Sequence, residues 1–583
     1  MKSYSYIFLF VLTVLISCKD DPFNQYPAQN VDFDRIFSDS IRTIGAVNAA
    51  YSKLTHVGRY FRLGSQAMQA TVTDEAKHAS STTTKVVDDF VNGRWNANNI
   101  PDPAWNDMYE GIRHCNLFLP FWENQRDILP ITEDTYRRTL GELIFLRAFY
   151  HFELFKRYGG IPIITKVLNP GDDMQIGRET YANTVKFLVD ECDRAASLLP
   201  LNYASYTSHY GRATRGAALA LKSRVLLYAA SPLVNAEEDY LDGTDELVWM
   251  GGYDKERWKT AADAAYDVIA LNEYQLYPYI PEGNDEYSFG YFNDAYYGTN
   301  REFIFGRLWV QDNTMEKNNA PMGYQNALGL TCPTQDFVDA FLMRDGQPFN
   351  WDNPVHASNP YVNRDTRLSL YVYYNGMKWW YTNNREYDSK KSFGLIETYV
   401  GGADDASTLT DGVRTGYYLK KFSSREATIF GTEYKVNHNF GFFRYAETLL
   451  NFAEAANEYG GPTYSVHGLD ARWAINAVRD RAYMPPVDDA VSQNELRDLI
   501  RLERRIELAF EEHRFWDIRR WKIATTLKKS IDGMQIIKNP DDSYTYNRQP
   551  AIESRIFEKK HYFYPIPQTE INRNANLLPN PGW

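Results

Sequence analysis

The feature that most restricts the fold of this chain is a recurring run of helical stretches, rich in small residues and closed by proline or glycine. Tyr136 to Tyr158 sets Leu140, Leu143, Ile144, Phe149, Tyr150 and Phe152 near helical spacing, and Gly159-Gly160-Ile161-Pro162 stops it. Thr180 to Leu199 puts Val185, Leu188, Val189, Cys192 and Ala196 on one stripe before Pro200. Arg212 to Ala230 carries Ala213, Ala217, Ala218 and Ala220 and is closed by Pro232. Trp258 to Leu271, with Ala261, Ala262, Ala265 and Ile269, continues the series. A later pair follows at Arg444 to Tyr459 and Gly468 to Ala482, and earlier helices are predicted from Asp39 to Leu54 and from Ala104 to Phe121. Small side chains let neighbouring helices approach closely, and paired helices with a proline after the second follow the tetratricopeptide scheme. The spacing is irregular, so long insertions must separate some partners. The predicted fold is mostly α: a tetratricopeptide-like helical-repeat scaffold of about four helix pairs, plus a large irregular loop-rich module with a few short strands.

That module is predicted at residues 283–432, which are rich in Gly, Asn, Asp, Tyr and Trp and show no sustained helical stripe. Phe303-Ile304-Phe305 and Tyr371-Val372-Tyr373-Tyr374 read as short strands. Irregular segments of this length are either functional or disordered, and the high aromatic content argues for order. The chain therefore divides into a leader (1–17), a linker (18–35), an N-terminal helical region (36–282), the module (283–432), and a C-terminal helical region and tail (433–583).

The leader has its own chemistry. Met1-Lys2 is followed by Tyr6 to Ile16, apolar except for Thr13, and then by Ser17-Cys18. This apolar run is shorter than the roughly 20 residues a spanning helix needs. Leu15 and Ser17 before Cys18 resemble a bacterial lipobox, in which the cysteine thiol is acylated and becomes the mature N-terminus. Lys19-Asp20-Asp21 resembles the signal that sends such lipoproteins to the outer face of the outer membrane. The expected location is thus the outer membrane, lipid-anchored through Cys18 and facing the cell exterior. Cys115, Cys192 and Cys332 remain, an odd number at wide spacing, which argues against a disulfide framework or a zinc site. Cys115 and Cys192 fall in helical patterns and read as small core residues. No cofactor is expected, and no residues are assigned to a metal.

The formal net charge is −12 with no basic block, which disfavours a nucleic-acid partner. Aromatic residues make up 15% of the chain, and the 43 Tyr outnumber the 32 Phe. Tyr and Trp offer a flat apolar face with a polar edge. Such groups suit sugar rings, and they equally suit a wet protein interface. Composition does not choose between the two.

Five segments, in order, resemble the SusD/RagB family of nutrient-binding outer-membrane lipoproteins. They are Leu146 to Phe152 with its exit at Arg157 to Pro162; Lys222 to Tyr228; and Phe443 to Glu447 with Ala453-Glu454-Ala455. The fourth is Arg501 to Trp521, and the last is Tyr564-Pro565-Ile566-Pro567 with Glu570-Ile571-Asn572 and Asn580 to Trp583. The resemblance implies a four-repeat helical scaffold carrying variable loops. It also implies a hinged lid on a SusC-like TonB-dependent transporter that captures a glycan ligand or another nutrient. A non-sugar nutrient such as peptide, or a purely protein-binding scaffold, are the rival readings.

Catalysis finds little support in the residues. Glu511, Glu512, His513 and Asp517 could be imagined as acid, base or metal ligands, but no His-Glu-x-x-His motif, serine elbow or phosphate loop occurs. Arg504, Arg505, Arg514, Arg519 and Arg520 alternate with Glu503, Glu507, Glu511 and Glu512 at helical offsets, the pattern of side-chain ion pairs. The protein is read as a binder and not as an enzyme. For binding, the resemblance directs attention to Trp95 in the Gly93 to Asn99 loop, with Asn98 beside it and Asp74 in the preceding loop. In the module the candidates are Tyr291, Tyr296 and Tyr297, then Trp379, Trp380 and Tyr381 with Arg385. Consecutive aromatics on a strand face opposite sides, so at most two of Trp379, Trp380 and Tyr381 share one surface. Trp105, Trp258, Trp473, Trp516 and Trp521 lie on predicted helices and are assigned to packing.

Overall fold

The computed structural model describes residues 32–64, 66–79, 85–169, 171–203, 209–278, 300–324, 326–378, 395–405, 415–424 and 435–583. Its long helices are α1 (Ser40–Tyr51), α2 (Trp105–Asn124), α3 (Glu133–Tyr158), α4 (Tyr181–Leu198), α5 (Arg215–Ala230) and α6 (Glu256–Ile269). They continue as α7 (Tyr445–Gly460), α8 (Ala471–Arg481), α9 (Gln493–Glu507) and the shorter α10 (His513–Arg520). From α1 to α8 each packs on the next, and α7 also packs on α9. The array is therefore continuous, and its helices fall where the periodicity predicts helices. The partner of α6 is α7, across the inserted residues 270–444. The insertion thus separates two helices that touch. Among the described residues no helix is long and apolar enough to cross a membrane.

Helix α3 shows how local sequence and packing cooperate. Thr132 caps its start by accepting from the Thr135 amide at 3.3 Å. Glu133 and Asp134 open the helix and Lys156 and Arg157 close it, each at the end of the helix dipole that favours its charge. Between them Leu143, Phe145, Phe149, Phe152 and Phe155 are fully buried on all sides, because α1, α2 and α4 surround the helix. The exit needs glycine. Gly159 has φ +76°, and a Cβ there would stand 2.5 Å from the Leu247 carbonyl oxygen.

The later helices meet through alanine. Ala261, Ala262 and Ala265 of α6, Ala446, Ala453 and Ala456 of α7, and Ala471 and Ala474 of α8 form one buried cluster with Trp258, Leu449 and Ile500. Trp105, Trp258, Trp516 and Trp521 are buried, as expected of packing residues. Trp473 is not. It is 40% exposed, because α8 buries the stripe Ala471, Ala474, Ile475 and Val478, and position 473 lies off that stripe. Cys115, Cys192 and Cys332 are buried, and among the described residues they form no disulfide.

The strands are β1 (Ala76–His78), β2 (Phe303–Arg307), β3 (Thr331–Pro333), β4 (Val372–Tyr373), β5 (Tyr418–Leu419), β6 (Phe440–Arg444), β7 (Ser465–Val466), β8 (Leu469–Asp470), β9 (Ser530–Lys538) and β10 (Tyr544–Ser554). They pair in antiparallel twos: β1 with β3, β2 with β6, β4 with β5, β7 with β8 and β9 with β10. The strand predicted at Phe303 is β2. The run from Tyr371 is extended only at Val372–Tyr373, since Tyr371 ends the short helix Thr366–Tyr371. Other short helices, Thr314–Asn319 and Gln335–Ala340, are too brief to leave a periodic trace. The β9–β10 hairpin stands where helix and tail were predicted. Its second strand is half-exposed to fully exposed along its length, so no apolar alternation announces it.

The charged block forms few pairs along a helix. Among the described residues, its pair within one helix is Asp517–Arg520 at 2.7 Å. The rest are tertiary, a correction to the helical-offset reading. Glu507, fully buried, receives Arg444 at 2.6 Å, Arg481 at 2.5 Å and Arg367 at 3.1 Å. Glu302 also holds Arg444 and Arg481, each at 2.8 Å. Lys421 meets Glu511 at 2.8 Å, and Arg367 also binds Glu503. Glu302, Arg367 and Lys421 belong to the insertion, whereas Glu503 and Glu507 lie on α9 and Glu511 just beyond its end. These ions therefore set the register between module and scaffold.

Candidate functional site

Where the insertion leaves α6 and returns as β2, it meets the connection between α4 and α5 in an open cleft of about 120 Å³. Tyr203 and His209 stack at 5.2 Å between centroids and 11° between planes; Tyr210 and Phe303 stack at 5.8 Å and 23°. Tyr274 forms a further wall, and the backbone of α5 admits it because residue 216 is glycine. Anchoring is polar. The Tyr203 hydroxyl donates to the Ala213 carbonyl at 2.7 Å. Arg212 binds Glu142 at 2.8 Å, and Asn202 donates to Glu273 at 3.1 Å. Arg301 is held by the carbonyls of Glu273 and Asn272, both at 3.0 Å. Ring faces thus lie beside amide, carboxylate and guanidinium groups, the combination that stacks on a sugar ring and hydrogen-bonds its hydroxyls. The aromatic cluster from Tyr203 to Tyr210 is visible in the sequence, in a connection after Pro200 where helix packing does not require rings.

The predicted site residues separate. Asp74 and Trp95 line one cavity of about 70 Å³ beneath the β9–β10 hairpin. Asn98 stands outside it on an exposed turn, where its amide donates to the Asn96 side chain at 2.9 Å. Trp95 is 3% exposed, with rings of His561 at 4.9 Å and of Tyr564 and Trp583 at 5.0 Å around it. Neighbouring rings thus occupy the surroundings of this candidate binding residue. Asp74 is likewise committed, to Arg514 at 2.7 Å and Arg505 at 3.0 Å. Burial would raise its carboxyl, but the two arginines hold it well below the usual carboxylate range. Burial, and the charge of Asp74 beside it, push Glu75 up to about 8. Cys18, Tyr291, Tyr296, Tyr297, Trp379, Trp380, Tyr381 and Arg385 lie outside the described residues.

The groups that could suggest catalysis have structural partners. Glu511 is held by Arg444 at 2.7 Å, Glu512 by Arg62 at 2.5 Å and Asp517 by Arg504 at 3.1 Å. Burial and the surrounding cations keep His513 uncharged. Among the described residues no three His, Cys, Asp or Glu side chains are placed to hold a metal ion.

Comparison with known proteins agrees with this architecture. A family model described as "SusD family" matches residues 290–583, and one described as "Starch-binding associating with outer membrane" matches 29–227. SusD-like protein P2 of Formosa agariphila is 22% identical over 601 residues, covering 100% of both chains. A SusD-like protein of Bacteroides fragilis of known structure superposes with a TM-score of 0.75 at 27% identity, over 95% of this chain and 99% of the other. A laminarin binding SusD-like protein superposes with a TM-score of 0.61 at 18% identity, over 94% and 100% of the chains. With the matched segment running from the inserted module through the ion-paired α9–α10 corner to Trp583, on this helical array, the chain belongs to the SusD family.

Proposed function

We propose that the protein is a surface-exposed lipoprotein, anchored through Cys18. In this reading it captures an oligosaccharide or polysaccharide and delivers it, unaltered, to a partner TonB-dependent transporter of the outer membrane. The observation that carries the reading is the cleft at the join of scaffold and module, with two stacked aromatic pairs beside polar groups. The description of the N-terminal match, as starch-binding and associated with the outer membrane, supports the same ligand class and location. Asp74, Trp95 and Asn98 then belong to a second region away from this cleft, the first two shaping the wall of the cavity they share. Affinity at such a site comes from preorganised rings and need not be high where a transporter shares the ligand.

The test is calorimetry of lipid-free protein against a broad panel of neutral and acidic glycans. Binding to at least one is expected, with Tyr210→Ala weakening it about tenfold, as loss of a stacked sugar ring would. Binding of peptides with no response to any glycan would replace this reading with the non-sugar one. Co-purification of a protein partner without any small ligand would favour a scaffold.

A further inference from the structure

Arg519, in the last turn of α10, is a buried cation with no carboxylate partner among the described residues. It is 5% exposed. One Nη donates to the Phe515 carbonyl at 2.8 Å, and its Nε has no hydrogen-bond partner. The guanidinium carbon lies 3.5 Å from the centre of the Phe515 ring and 5.0 Å from that of Phe557. Its neighbours Arg504, Arg505, Arg514 and Arg520 each hold an acid. A guanidinium out of water without a counter-ion is costly, and ring faces offset only part of that cost. Burial pushes this one down to about 10, with only the hydroxyls of Tyr564 and Tyr562 acting against it, so it remains charged at neutral pH.

The surroundings repeat the imbalance. Arg519 lines the 70 Å³ cavity together with Trp95, Phe557, His561, Arg555 and Lys529. The Glu558 amide donates to His561 Nδ1 at 2.9 Å. Burial pushes this imidazole down to about 4, so the neutral ring carries its proton on Nε2, and that atom has no partner. The Nε of Arg555 is a third donor without an acceptor. Arg555 itself is paired with Glu553 at 2.7 Å, and Asp74 is taken by Arg505 and Arg514. Among the described residues, what is left over is three N–H donors and one uncompensated positive charge. The exposed Lys528 and Lys529 among the lining residues show that the cavity opens to solvent. At about 10–15 Å³ for each water-sized group, the space suits a sulfate, or a carboxylate with its attached carbons.

We propose that this cavity is an oxyanion subsite that takes one carboxylate or sulfate group, with Arg519 as its counter-charge and Arg555 and His561 as further donors. Resting on the capture function proposed above, this makes the glycan an acidic one, a uronate or a sulfate ester, whose charged substituent enters beneath the hairpin. A free inorganic oxyanion offers the same chemistry, so the test separates the two sources.

Lipid-free protein is unfolded thermally and titrated calorimetrically with sodium sulfate, and with sodium chloride at equal ionic strength. A sulfated or uronate oligosaccharide and a neutral oligosaccharide are titrated alongside. Sulfate is expected to raise the melting temperature of the wild type above that in chloride. Arg519→Met should weaken sulfate at least about tenfold, the worth of one charge-assisted hydrogen bond. Arg519→Lys, which keeps the charge, should retain part of the response. No sulfate effect, or an equal one in wild type and Arg519→Met, overturns the subsite. Sulfate binding lost in Arg519→Met, with the acidic oligosaccharide bound no more tightly than the neutral one, keeps the oxyanion site and overturns the acidic glycan as its occupant. If no glycan of any kind binds while sulfate does, the capture reading fails and the anion site stands.

Discussion

Glu507 and Arg519 stand on consecutive helices and are both buried, yet the fold treats their charges in opposite ways. Glu507 is surrounded by Arg367, Arg444 and Arg481, drawn from the short helix Thr366–Tyr371, β6 and α8. Burial alone would raise its carboxyl, but these cations hold it far below its ordinary range. Arg519 has two aromatic rings, one carbonyl and an open cavity. Compensation around Glu507 serves assembly, because each partner comes from a different segment and their meeting defines how module and scaffold sit. The missing compensation at Arg519 leaves attraction available for something that is not part of the chain.

The sharpest way to break this contrast is to neutralise the compensated site. Glu507→Gln leaves three arginines sharing a deficit of negative charge in a dry interior. A loss of about 3–5 kcal/mol is expected from urea denaturation, the usual cost of breaking a buried ionic network from one side. A loss under about 1 kcal/mol would mean that Glu302, Glu503 and Glu511 suffice and that the network is redundant.

His438 offers an intermediate case, a cation whose compensation depends on pH. Its Nε2 lies 2.9 Å from Glu316 and its Nδ1 3.5 Å from Asp312. Burial alone would lower this imidazole, but the two carboxylates raise it to about 9. A folded-state value above the unfolded one means that the stabilisation is fully present below about pH 6.5 and lost as pH rises through about 9. A fall on the order of 2–3 kcal/mol between about pH 6 and about pH 10 is expected. In His438→Gln that part of the slope should vanish; an unchanged slope would place the proton elsewhere.

The smallest effect is expected at the uncompensated charge. Arg519→Met keeps the apolar stem between Phe515 and Phe557 and removes a cation that no acid balances. Stability in chloride should change by less than about 1 kcal/mol, or rise. A loss comparable to that of Glu507→Gln would erase the distinction between the two sites.

The helical array was legible in the sequence. Leu140, Leu143 and Ile144 recur three and four residues apart, and Gly159-Gly160 marks the stop, so the information is local. The C-terminal hairpin was not legible, because β10 is largely exposed and carries no apolar alternation. At the site the outcome is divided. Asp74 and Trp95 do share a cavity, but Trp95 is enclosed by His561, Tyr564 and Trp583, residues more than four hundred positions away in sequence that no local pattern could attach to it. Tyr203, Tyr210 and Phe303 converge for a similar reason: the insertion returns beside the α4–α5 connection.

The sequence by itself determined the helices, their stops and the alanine faces through which they pack, because these follow from residues one or two turns apart. It also carries the lipobox-like leader, as an expectation. Only the tertiary structure decided which buried charges are answered. Arg367 reaches Glu507 across 140 positions, whereas Arg519, in the same charged block, meets no acid among the described residues. Coulomb attraction acts through space and burial removes the screening that water provides, so the meaning of each charge is set by neighbours that sequence order does not reveal.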